Sequence, residues 1–180
     1  MEFTLYYQGR LRANARVEEK HTIRQYFHRQ LKELWNQEPL NILKGLLINP
    51  NGPESIIRHV GPFHFAPLVS SRVDLLADLE ITMLRPGQPG IISHGGDIDN
   101  RLKTLLDALK VPEPNALPQG ATPGNDEQPF FCLVEDDRLI TGISIKTDRL
   151  LDPSATLGEV MLLLHVKTKS SSTGWSAFGV

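Results

Sequence analysis

Two aspartates one residue apart, Asp97 and Asp99, follow the dipeptide Gly95-Gly96 and lead straight into a segment with helical spacing. Carboxylates that close repel one another unless protons or a cation relieve them, and hard divalent cations take oxygen ligands of this kind. The chemistry they point to is divalent-metal binding. A further acidic run, Glu135-Asp136-Asp137, precedes a strand-like segment and offers another carboxylate. In isolation the first stretch has a plainer reading. A helix capped by Asp97 or Asp99 would carry a Lys103–Asp107 pair on a solvated face, worth only tenths of a kcal/mol.

The element that must position these groups is a helix opening at the aspartates. Leu102, Leu105, Leu106 and Leu109 recur at i, i+3, i+4 and i+7 and form one apolar stripe. Asn100, Lys103 and Asp107 fall on the opposite side. Downstream, residues 139–147 (LITGISIKT) alternate apolar and polar as a half-buried strand does. Asp136 and Asp137 would then point opposite ways once the strand has begun.

Taken together, Asp97-Ile98-Asp99-Asn100-Arg101-Leu102-Lys103, Asp107-Ala108-Leu109 and Asp136-Asp137 resemble the RusA-type endodeoxyribonucleases. These are small metal-dependent resolvases of four-way (Holliday) DNA junctions, often carried by prophages. The resemblance covers about a quarter of the chain, by its motif residues and the elements beside them. It implies an α+β fold with a mixed sheet flanked by helices, in one domain over residues 1–180. It implies Asp97, Asp99, Asp137 and Lys103 as the catalytic set, with the three aspartates holding Mg²⁺, for which Mn²⁺ is a substitute. Asn100, Asp107 and Asp136 would support them, Asp107 by orienting Lys103. The implied activity is hydrolysis of phosphodiester bonds in branched DNA, during recombination and repair, by a homodimer whose paired sites suit a two-fold junction. The alternative is a phage-derived protein of the same fold that binds junctions, or another partner, without cutting.

Composition fits this reading with one tension. A length of 180 residues, 40% hydrophobic and 22% charged, suits one soluble domain and argues against wholesale disorder. Apolar runs such as residues 160–166 are too short to span a bilayer, and the N-terminal residues lack a basic-then-apolar leader pattern, so a cytoplasmic protein without a membrane partner is expected. The single cysteine, Cys132, sits in an apolar run and is expected in the core. A net charge of −2 is low for a DNA-binding protein, because phosphate contacts want cations. Basic residues nevertheless crowd the first third, and Arg10, Arg12 and Arg16, with Arg101, are the expected phosphate contacts.

The remaining elements follow in order. A strand is expected over residues 3–7, an arginine-bearing loop over 8–16, and a helix over 17–37 with Ile23, Phe27, Leu31, Leu34 and Trp35 as its apolar stripe. Lys20, Arg24, His28, Arg29 and Lys32 would lie mostly outside that stripe, and His21 and His28 at the surface. Strand pieces are expected at 56–60 and 63–65, with prolines opposing a long central strand there. A strand should end near Leu84, before Pro86-Gly87, and a well-buried strand should occupy 160–166. Five prolines between 111 and 129 exclude a regular element and suggest a functional flap or a mobile insertion, longer than the turn usual in the resembled family. The tail over 167–180 is expected to be flexible.

Overall fold

A computed structural model describes residues 1–48, 55–86, 97–156 and 158–171. Within them the chain is an α+β fold built on two mixed sheets, where a single sheet was expected. The first has four strands and the second three.

The first sheet comprises β1 (Glu2–Arg10), β4 (Leu75–Arg85), β6 (Ile140–Arg149) and β7 (Glu159–Ser170). β7 pairs antiparallel with both β1 and β4, while β4 and β6 run parallel. Its inner face is the core: Leu5 and Tyr7, Val160, Leu162, Leu164 and Val166, and Leu79, Ile81 and Met83 are all buried. The expected buried strand at 160–166 proves half-buried, since Leu163 is 44% exposed. Its alternate residues point away from the helices, because elements cover only one face of this sheet.

The helix α1 (Val17–Leu34) lies across the inner face, with Glu18 and Glu19 in its first turn, where carboxylates suit the positive end of a helix dipole. Ile23, Phe27, Leu31 and Trp35 are buried as the periodicity predicts. On its edge side α1 closes β1: the Gln30 amide accepts from Tyr6 N–H at 3.0 Å and donates to Tyr6 C=O at 2.8 Å.

The second sheet accounts for most departures from expectation. It comprises β2 (Arg58–Val60), β3 (Phe63–Val69) and β5 (Phe130–Val134), with β3 and β5 parallel. Gly61, at φ 56°, opens the tight β2–β3 turn, a backbone conformation that favours glycine. β3 runs through Pro67, which is tolerated because β2 pairs only with residues 63–65 and leaves that edge without a strand. β5 is buried along its whole length. Phe131, Leu133 and Val134 join the main core, whereas Phe130 and Cys132 join Val60, Phe63 and Phe65 in a second cluster.

This second layer buries the other flank of α1, so Arg24, His21 and His28 are in the interior, not at the surface. The His28 ring lies 4.6 Å from that of Phe130 and within 5.8 Å of that of Phe131. The proline-rich stretch is likewise no flap. Val111, Leu117 and Ala121 pack on the second cluster, and Asp126 and Glu127 bond to Lys32, His28 and Gln25 of α1. Cys132 is buried as expected, and burial pushes its thiol pKa up. Two more expected boundaries move: residues 8–10 belong to β1, and 167–170 belong to β7. No described helix is long and apolar enough to cross a membrane.

His28 Nδ1 accepts the Phe131 N–H at 2.8 Å while Nε2 sits 3.0 Å from the Asp126 carbonyl, which fixes the neutral ring with its hydrogen on Nε2. Burial, ahead of its charged neighbours, holds the pKa below the ordinary 6.5. A histidine depressed in the fold takes up its proton more readily once unfolded, so this stability is complete above the unfolded pKa and is lost as pH falls below it. The thermal midpoint is therefore expected to drop between about pH 7.5 and about pH 5.5, and to drop less in His28→Gln, which keeps a donor and an acceptor without titrating. An equally steep fall in the variant would exclude His28 as a source.

Candidate active site

The helix α2 (Asp97–Leu109) begins at the first aspartate of the motif, as expected. Leu105, Ala108 and Leu109 are buried, and Leu102 and Leu106 pack against the core. The outward side carries the polar residues. At 3.6 residues per turn, Asp99, Lys103, Asp107 and Lys110 fall within roughly 80° of one another. Asp99 and Lys103 are exposed and Asn100 half-buried, and among the described residues neither Asp99 nor Lys103 has a hydrogen-bond or ion-pair partner. The side chain of Asp97 and the turn holding His94, Gly95 and Gly96 lie outside the described residues.

The loop between β1 and α1 is latched to this helix. Arg101 Nη1 donates to the Leu11 carbonyl, and Thr104 Oγ1 accepts from the Ala15 N–H at 3.3 Å. Leu11 and Ala15 are buried, while Arg12 and Arg16 between and beside them are exposed. Two of the arginines expected to meet phosphate thus flank the N-terminal half of α2. Arg12 is shared with Glu19 at 3.3 Å. Arg10, also exposed, ends β1 just before the latch. Arg101 itself is employed in holding the loop.

At the other end of α2 a chain of alternating charges forms. Asp107 does not pair with Lys103 as expected. Its carboxylate meets Lys20 of α1 at 2.7 Å and Lys110 at 3.8 Å, and Lys110 reaches Asp137 at 2.8 Å. Burial works against the Lys110 charge, but the bond to Asp137 and the nearby acids outweigh it and raise its pKa. Beneath them the Arg24 guanidinium, 1% exposed, donates to the Asp107 carbonyl at 3.1 Å. Desolvation lowers its pKa to about 10.

The acidic run after β5 divides its labour. Glu135 is structural: it accepts from Arg58 Nε at 2.6 Å and from the Ser70 hydroxyl at 2.6 Å. Asp136 caps the 3-10 turn Asp137–Leu139 through Arg138 N–H, and the Arg138 side chain and backbone hold its pKa down at about 2. Both aspartates therefore precede β6 and are not on alternate faces of a strand. Asp137 alone turns toward α2.

The long proline-rich excursion begins and ends beside this acid. Lys110 bridges Val134 in parallel, and Val111 N–H donates to the Val134 carbonyl at 3.1 Å, so the segment leaves and returns at one place. Asp137 is delivered at the level of Asp107 and Lys110, roughly 12 to 16 Å along the axis from Asp99 at the usual helical rise. Carboxylates are the donors a hard cation wants. Among the described residues, however, no three acidic, histidine or cysteine side chains form a metal-holding group, and the Lys110 ammonium sits where a cation would relieve Asp107 and Asp137.

Lys20, Arg24 and Lys110 are the charged residues that sequence reasoning missed here. Lys110 had a legible signal, standing three residues beyond Asp107 on the same helical face. Comparison with protein-family models, curated proteins and solved structures finds no match to the chain.

Lys110→Ala should release the Asp137 carboxylate at a cost of about 1 kcal/mol, solvent at the half-exposed acid limiting the loss. Asp107→Ala should cost more, because it strands Lys20, 22% exposed, without its anion and removes the farther of the two acids beside Lys110. Urea denaturation of both variants checks the order, and the reverse order would show that Asp107 does not hold the network.

Proposed function

We propose that the chain is a divalent-metal-dependent endodeoxyribonuclease acting on four-way DNA junctions. The observation that carries this reading is the exposed D-x-D-N-x-x-K start of α2, where Asp99 and Lys103 stand unengaged among the described residues beside the exposed Arg12 and Arg16. The acid that follows β5 reaches the same helix at its other end, through the contact of Asp137 with Lys110.

In this reading Asp97 and Asp99 would supply carboxylate oxygens to Mg²⁺ or Mn²⁺, and Asp137, roughly 12 to 16 Å along α2 from Asp99, would join them only once Lys110 releases it and the turn after β5 moves toward the start of the helix. When bound, such an ion neutralises phosphate charge and makes a bound water a stronger nucleophile. The protein's own share is positional. Lys103, exposed one turn beyond Asp99, offers an ammonium to the phosphate oxygens, where negative charge grows in the transition state. Arg12 and Arg16, on the loop latched to α2, hold flanking phosphates and set the register of the strand. Arg10 extends that basic edge, and Asn100 supports the aspartate beside it. The net charge of −2 is a whole-chain sum, whereas the exposed Arg10, Arg12 and Arg16 gather positive charge beside α2. A homodimer would present matched sites to a two-fold junction.

One observation favours a second reading, a junction-binding protein that does not cut. Asp137 is already satisfied by Lys110, and metal binding would have to displace that ammonium.

Nicking of a synthetic four-way junction in Mg²⁺ decides between them. Asp99→Asn is expected to lower the rate by about 100-fold or more. Lys103→Ala should lower kcat by about 100-fold with junction affinity changed less than about threefold, since the interaction is made in the transition state. Tight binding without cutting in any divalent ion would establish the second reading, and undiminished cutting by Asp99→Asn would remove the first.

A further inference from the structure

The β2–β3 hairpin sets two histidines directly across from each other. His59 pairs with His64 in the antiparallel register, one step before the Val60–Phe63 pair that closes on the Gly61-Pro62 turn. Val60 and Phe63 are buried in the second cluster, so alternation turns the two imidazoles to the other face of the hairpin. β2 is an edge strand, and there His59 is exposed and His64 half-buried. Opposite positions of an antiparallel ladder hold their Cβ atoms about 4.5 to 5.5 Å apart, near enough for two side chains to meet one small ion.

The rings are already together, with centroids 4.4 Å apart and planes at 74°. Two imidazoles that share one ion through nitrogens at about 2.0 to 2.1 Å have ring centres roughly 4.5 to 5 Å apart, so the pair needs a turn about its side-chain bonds and no backbone movement. Neither ring has a hydrogen-bond or ion-pair partner among the described residues, which leaves its nitrogens available. His28 is the contrast, with both nitrogens committed inside the fold.

His59 also lines a cleft of about 620 Å³ that opens beside the Lys110–Asp137 contact. All but one of the charges on that lining are paired. Arg58 meets Glu135, Lys110 meets Asp137 and Arg138 meets Asp136, while the exposed Glu113 carboxylate has no partner among the described residues. An unanswered negative charge near two free imidazoles suits a cation whose ligands are nitrogen and oxygen together.

We propose that His59 and His64 bind a divalent transition metal of the nickel, copper and zinc group, with water and the Glu113 carboxylate completing its shell. Imidazole nitrogen suits these ions, whereas Mg²⁺ keeps to oxygen. No three metal-ligating side chains are gathered among the described residues, so the imidazole pair is the preformed part and Glu113 swings in from its exposed position. The bound ion staples β2 to β3 at the open rim of the second sheet. The site shares no residue with the start of α2, and it stands whether or not the chain cuts DNA.

The test is calorimetric titration of the full chain with Ni²⁺, Cu²⁺ and Zn²⁺ in excess Mg²⁺, which keeps all-carboxylate sites filled, with paramagnetic broadening by Cu²⁺ in NMR spectra to locate the ion. One ion per chain is expected, Cu²⁺ held most tightly, with broadening centred on residues 58–65. His59→Ala and His64→Ala, both outside the core clusters, should each weaken binding by about 100-fold, and Glu113→Gln by about tenfold. Zn²⁺ should raise the melting temperature of the unaltered chain and of neither alanine variant. Binding unchanged in either alanine variant, broadening centred on residues 99–103 or on His165, or no saturable binding would overturn the site. Unchanged binding in Glu113→Gln would overturn the carboxylate's part in it.

Discussion

The backbone bond from Val111 N–H to the Val134 carbonyl, 3.1 Å long, joins the end of α2 to the end of β5. Everything near the candidate site is placed by that join. It turns the residues between into a closed excursion, so their number and their prolines do not affect where the chain resumes. It sets Lys110 beside Asp137 and opens the cleft between the second sheet and the turn that follows α2. Without it the two acidic motifs would be tied only through the core beneath them.

The electrostatics follow the same economy. Arg24 is buried at the base of the site, Lys20 and Lys110 are each about a quarter exposed, and Arg58 is held by Glu135 at the neighbouring cleft. Low exposure strengthens each attraction and raises the penalty for losing either member. The acids they engage are therefore not available as a diffuse negative surface. Asp99 and Lys103 are left unengaged among the described residues, on a stretch of helix bordered by exposed arginines.

Local pattern was legible wherever one face of an element meets one core. The stripe of α2, the start of α1 and the burial of Cys132 follow directly from spacing, whereas the clean alternation expected of β6 breaks at Ile143, which is 43% exposed. The errors share a cause. His21, Arg24 and His28 are polar at helical spacing, and only the second sheet, assembled from distant segments of the chain, makes that flank an interior. The proline-rich stretch looked unanchored because its anchors, Leu117 and Ala121, are isolated apolar residues covering Phe63 and Phe130. At the candidate site, helical spacing located α2. Lys20, the nearer partner of Asp107, could not be read, because it comes from a different helix.

The Gln30 amide, bonded to both the N–H and the C=O of Tyr6, occupies the outer rim of β1 as a short mimic of a neighbouring strand. A foreign chain seeking to extend the sheet there finds its hydrogen-bonding groups taken at mid-strand. On the opposite rim, β6 carries Lys146, Asp148 and Arg149, whose charges disfavour flat stacking against another copy. One amide and three ionic side chains thus protect the two rims of this four-stranded sheet from pairing with a further chain.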